Sequence, residues 1–93
     1  MTHPKHLNDV ARRVVWFKSP AETLEDSNFF ICYVMTYGTI EDIKIVRRYY
    51  TNSDFLTALK HAQPGIFDPR SWAYWNTKFK QFPIPPMPKR HIP

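Results

Sequence analysis

Apolar residues recur along this chain at intervals of three and four, the spacing that places side chains on one face of a helix. Val10, Val14 and Phe17 form the first such stripe, and Asn8 stands ready to cap it, with Arg12 and Arg13 turned away. Ser19-Pro20-Ala21-Glu22 follows: a hydroxyl cap, a proline at the first helical position and a glutamate three residues past the cap, which together form a capping box. A short helical turn is expected there. Ser27 is the expected cap of a third segment over 28–37, whose Phe30, Val34 and Tyr37 share a face and whose Phe29, Cys32 and Tyr33 widen it. Gly38 is expected to end it in the left-handed conformation. The β-branched and aromatic content of 29–35 also suits a buried strand, and that alternative stays open.

The punctuation continues downstream. Thr39-Ile40-Glu41-Asp42 caps a helix reaching about Tyr50, with Ile40, Ile43, Val46 and Tyr50 on its apolar face. Thr51-Asn52-Ser53-Asp54 caps a further one, driven by Phe55, Leu56 and Leu59 and stopped by Pro64-Gly65. Asp68 and Pro69 open the last helix, in which Trp72, Trp75 and Phe79 line up for the core and Tyr74 faces outward. The prediction is an all-α fold, a compact bundle of five or six short helices joined by short connections. Residues 1–7 read as a flexible N-terminus, 8–82 as the helical domain, and 83–93 as a proline-rich basic tail that runs extended.

Composition supports that outline. A chain of 93 residues makes one domain with a thin core, and three Trp, five Tyr and seven Phe fill it economically. Two glycines and nine prolines are an odd set for a sandwich or barrel. The single cysteine, Cys32, has no internal disulfide partner and reads as a small buried hydrophobe in a reducing compartment. The start lacks an apolar signal region, and no run approaches the ~20 apolar residues of a membrane span. A cytoplasmic location, with no membrane partner, is the expectation.

The formal charge of +5 is unevenly spread. Lys5, Arg12, Arg13 and Lys18 oppose only Asp9 at the N-terminal end, residues 19–68 hold most of the acids, and Arg70, Lys78, Lys80, Lys89 and Arg90 meet no acid at all. Two basic ends flanking an acidic middle suit an anionic partner, either nucleic acid or an acidic protein face.

Candidate chemistry is sparse. His3 and His6 are the only close histidine pair and sit in the expected flexible terminus; no metal site and no cofactor are expected. Cys32 has apolar sequence neighbours, with His61 on a different segment, so nucleophilic catalysis is not expected. Adjacent Glu41 and Asp42 are explained by the positive end of a helix dipole. A phosphate-binding glycine loop is absent from the sequence. The chain is expected to act by recognition and not as an enzyme.

Two recognition surfaces compete. One is a helix-turn-helix-like module built on Tyr37-Gly38-Thr39, whose second helix would present Lys44, Arg47, Arg48 and Tyr49 to nucleic acid; Glu41 and Asp42 at its N-terminus have the wrong sign for a phosphate backbone. The other is a protein-binding strip of Arg70, Tyr74 and Lys78, continued by Lys80 and by Lys89 and Arg90 in the tail. Pro85-Pro86-Met87-Pro88-Lys89-Arg90 fits a polyproline recognition motif, and the tail is expected to lie across Trp72, Trp75 or a partner.

The succession of Trp16-Phe17, Val34-Met35-Thr36-Tyr37-Gly38-Thr39-Ile40-Glu41-Asp42, Val46-Arg47-Arg48-Tyr49-Tyr50 and Arg70-Ser71-Trp72-Ala73-Tyr74-Trp75 resembles a family of small helical bacterial proteins. Members of that family are encoded beside abortive-infection-type nucleotidyltransferase toxins. The likeness rests on Trp16, Val34, Tyr37, Gly38, Thr39, Glu41, Asp42, Arg47, Arg48, Tyr49 and Trp75, within residues 14–79. It implies an antitoxin that neutralises its toxin by direct contact, and the chain itself lacks the Gly-Ser and paired aspartates of a nucleotidyltransferase. The proline-rich tail departs from the family pattern. A phage-type inhibitor of a host defence complex is a variant of the same reading.

Overall fold

Five of the six helices begin on a side chain that accepts a backbone N–H, so short-range hydrogen bonds set most of the boundaries. The computed structural model describes residues 5–88. Its helices are α1 (Lys5–Val14), α2 (Pro20–Glu25), α3 (Ser27–Tyr37), α4 (Ile40–Val46), α5 (Asn52–Lys60) and α6 (Pro69–Lys78). Among the described residues the fold is all-helical, with a Cα radius of gyration of 13.1 Å against the ~12 Å expected of a compact chain of this length. No described helix is long and apolar enough to cross a membrane.

Thr39 and Thr51 form full capping boxes: each hydroxyl accepts the N–H of Asp42 or Asp54, whose carboxylate accepts the cap's own N–H in return. Ser19 differs. Its hydroxyl accepts from Glu22 N but donates to Glu22 Oε1, leaving the reciprocal backbone bond of the expected box unmade. The third helix is capped by Asp26, not by Ser27, because the longer acceptor one residue earlier reaches Phe29 N at 3.2 Å. The first helix starts at Lys5, so residues 5–7 are helical, Asn8 lies inside the first turns, and Leu7 is buried.

α3 is the central element and packs against all five other helices. That position explains its composition, because a helix covered on most sides is apolar on most sides, and only the face of Phe29, Tyr33 and Tyr37 stays partly open. Residues 29–35 are therefore helical, and the alternative strand does not form. Phe30, Ile31, Cys32, Val34 and Met35 pack in one core with Val10, Leu24, Val46, Phe55, Leu59, Trp72 and Trp75. Full burial of a large apolar side chain stabilises the fold by about 1.5–3 kcal/mol. Among the described residues every buried side-chain N or O is partnered: Thr23 Oγ1 donates to Ser19 O, and Asn76 Nδ2 to Trp72 O.

Two further expectations are corrected. Gly38 is not left-handed: its φ of −75° and ψ of 156° are open to any residue. Close approach selects glycine there, since a Cβ would stand 2.6 Å from Val34 O and 3.3 Å from Asp42 Cβ. The left-handed cap occurs instead at Lys80, with φ 56°, after α6. Lys80 N bonds Thr77 O and Gln81 N bonds Asn76 O, the paired bonds of a Schellman ending on a residue with a side chain. Finally, α4 stops at Val46, so Arg47, Arg48 and Tyr49 occupy a turn and Tyr50 packs at 6.2 Å from Phe30 without belonging to the helix.

Candidate functional site

α6 delivers the predicted strip. Trp72 and Trp75 are buried and Phe79 half-buried, while Tyr74, between them in sequence, is 57% exposed. Both indoles are pinned: Trp75 Nε1 donates to Met35 O at 2.9 Å and Trp72 Nε1 to Pro85 O at 2.8 Å. With its inner face fixed by these bonds, α6 holds Tyr74 edge-on to Trp75 at a centroid distance of 5.2 Å. Tyr74 divides two hollows. One, of about 560 Å³, is lined by Arg70, Ala73, Thr77 and Lys78; the other, of about 380 Å³, has Met35, Ile40, Ile43 and Trp75 as its apolar walls. Arg70 borders both, and Ile40 is 72% exposed at the rim.

The structure therefore brings Arg70, Tyr74 and Lys78 together and adds Ile40 and Ile43, which sequence reasoning assigned to the core. Ile40 is the first residue of α4 after the Thr39 cap, and the first residue of a helix projects past its packed face. Lys80 stands exposed at the left-handed turn, and Lys89 and Arg90 lie outside the described residues.

The alternative basic set is dispersed. Lys44 is on α4 beside Glu41, at 3.8 Å, an exposed pair of little energetic weight. Arg47 Nη2 donates to Asn52 Oδ1, and its guanidinium lies 5.8 Å from the buried Phe55 ring, so this cation closes the α4–α5 turn. Arg48 and Tyr49 are exposed in that turn, beyond the end of the helix. Lys44 and residues 47–49 thus do not form one face of a recognition helix.

A second surface was missed by sequence reasoning. Trp16 and Phe17, in the turn after α1, are 80% and 50% exposed, where Phe17 was expected on the buried face of the helix. Their rings continue into α3: Trp16 to Phe17 is 5.7 Å, Phe17 to Tyr33 is 5.8 Å, and Tyr33 to Tyr37 is 5.5 Å. Lys18 Nζ sits 4.3 Å over Phe29, whose ring is 4.7 Å from Tyr33. The signal available in the sequence was the interleaving of cations and rings in Arg12-Arg13-Val14-Val15-Trp16-Phe17-Lys18.

Arg13 is not turned away. It donates through Nη1 and Nη2 to both carboxylate oxygens of the buried Asp42. Burial pushes the Asp42 carboxyl up, but the hydrogen bonds from Arg13 and Thr39 outweigh it and hold the group below its ordinary value. Cys32 is inert for a related reason: burial pushes its thiol up to about 12, and its Sγ donates to Ala58 O at 3.3 Å. Among the described residues no three His, Cys, Asp or Glu side chains cluster as a metal site requires.

No protein-family model, curated protein or solved structure matches this chain.

Proposed function

We propose that this protein acts by binding, and that the outer face of α6 holds a protein partner. The observation that carries the reading is Tyr74: an exposed ring on a rigidly held helix, with a hollow on either side and Arg70 and Lys78 one turn away. Tyr and Arg at the centre of a partly apolar surface are among the residues that dominate protein interfaces, Tyr because it combines large area with few rotatable bonds and Arg because its planar fork makes several directed hydrogen bonds. The partner implied by the family resemblance is a nucleotidyltransferase-type toxin, which makes this chain its cytoplasmic antitoxin. Acidic metal-binding carboxylates on such an enzyme complement the basic α6 edge.

The tail belongs to the same proposal. Its described part, residues 83–88, is tied to α6 by the Trp72 to Pro85 hydrogen bond, and the proposed role of Lys89 and Arg90 is to pair with acidic groups of the partner.

The test is calorimetric titration of a purified nucleotidyltransferase toxin with this protein. One-to-one binding should fall with salt less steeply than binding to a phosphate backbone does, and Tyr74→Ala should weaken it by about 30-fold, the 2 kcal/mol scale of an interface hot spot. Truncation of residues 83–93 should weaken it as well. Unchanged affinity in both variants overturns the reading. Steeply salt-dependent affinity for duplex DNA in place of toxin binding would favour the nucleic-acid module.

A further inference from the structure

We infer that the ring track running from Phe29 through Tyr33, Phe17 and Trp16 is a binding surface for single-stranded nucleic acid, separate from the Tyr74 face. A chain that folds on a thin aromatic core leaves Trp16, Phe17 and Tyr37 in solvent, where they contribute least to stability. They form a hollow of about 450 Å³ whose walls are rings and Arg13, with Val14 the one aliphatic side chain. The Ile40 and Ile43 groove, by contrast, mixes aliphatic with aromatic groups. Here the wall is aromatic and its charged group is a cation.

Cations stand at both ends of the track. Lys18 lies over Phe29 at one end, and Arg13 at the other is held in place by Asp42 while its side chain stays 55% exposed. Two of the five guanidinium N–H groups are committed to the carboxylate, which orients the remainder for a phosphate oxygen. Arg13 also borders the adjoining hollow, shared with His6 and Arg12, so positive charge continues past the rings. Asp9 lies in that second hollow, 3.8 Å from Arg12, and sets the limit of the phosphate path.

Base stacking on rings is tolerant of sequence and needs bases that are not already paired and stacked, which selects a single strand over a duplex. Ring planes at 87° and 64° to one another give successive bases separate faces, and the phosphates between them reach Arg13 and Lys18.

Fluorescence anisotropy of labelled dT8 and rU8 tests this on the full chain. Saturable binding is expected at low salt, with the logarithm of affinity falling against that of salt at a slope of about −1.4, for two phosphates at about 0.7 each. Tryptophan emission should be quenched on binding, because Trp16 is the exposed indole while Trp72 and Trp75 are buried. Trp16→Ala and Tyr37→Ala, each checked for an unchanged circular dichroism spectrum, should weaken binding about 5- to 150-fold. Tyr74→Ala should leave it within about twofold, which keeps this test apart from that of the toxin interface. Absence of octamer binding, binding undiminished in both ring variants, or equal affinity for duplex overturns the inference. Loss of toxin affinity in Trp16→Ala without any octamer binding would assign the track to the protein interface.

Discussion

Arg13 in the last turn of α1 and Asp42 in the first turn of α4, 29 residues apart, form a two-pronged ion pair that ties the bundle's first helix to its fourth. Each charge also lies at the helix end whose dipole favours it. Asp42 does more than pair, since its carboxylate closes the capping box on Thr39. One buried acid therefore fixes both the start of α4 and its place against α1.

Removing the cation should strand that acid. Arg13→Ala is expected to lower unfolding free energy by about 1–3 kcal/mol, below the 3–5 of a fully buried pair because water reaches Arg13. Urea denaturation measures it, and a double-mutant cycle with Asp42→Asn should show a coupling above about 1 kcal/mol.

The same pair gives stability a pH dependence. Asp42 is held below its usual carboxyl value of 3.8, so its contribution is complete above that value and is lost as pH falls through the lower folded-state value. Unfolding midpoints of the parent and Asp42→Asn should differ most near pH 6 and converge on acidification below 3.8. A constant gap across that window would show that the charge is not what matters.

Gly38 and Lys80 make opposite predictions. Gly38→Ala should destabilise by about 1–3 kcal/mol through overpacking against Val34 and Asp42, although the backbone angles suit alanine. Lys80→Gly should raise stability by about 0.5–1 kcal/mol by relieving a left-handed residue of its Cβ. For a domain this small, 1 kcal/mol corresponds to a shift of about 4–8 °C in Tm, within easy reach of calorimetry.

The two buried tryptophans separate core from arm. Trp75→Ala should cost about 3–5 kcal/mol, since Trp75 touches Phe55 and Phe79 and bonds Met35 O. Trp72→Phe keeps most of the packing and removes the bond to Pro85 O. It is expected to cost less, about 1–2 kcal/mol, and to speed proteolytic cleavage beyond residue 82.

Cys32 should react with Ellman's reagent at pH 8 only as fast as the protein opens. Its thiol is buried, its pKa is raised to about 12, and it faces the Ala58 carbonyl. Modification as fast as that of a free thiol in native buffer would contradict the packing of α3 on α5.

Local signals were read well. Thr39, Thr51, Asp68 and Pro69 start helices in the sequence and in the structure, because a cap is a bond between residues three apart and needs no other part of the chain. Trp72 and Trp75 turned inward with Tyr74 outward for a similarly local reason, the angular spacing of a single helix. The site was harder. Ile40 and Phe17 obey helical periodicity yet remain exposed, since Ile40 stands at the very first position of α4 and α1 ends at Val14, before Phe17.

The sequence by itself determined the all-helical outline, the caps at Thr39, Thr51 and Asp68 and the aromatic character of the core, all consequences of interactions within a few residues. Tertiary structure alone decided that Arg13 would meet Asp42, that Gly38 is a matter of space and not of handedness, and that rings from the turn after α1 and from α3 would share one surface. Each of those depends on distances between segments that only the packed bundle brings together.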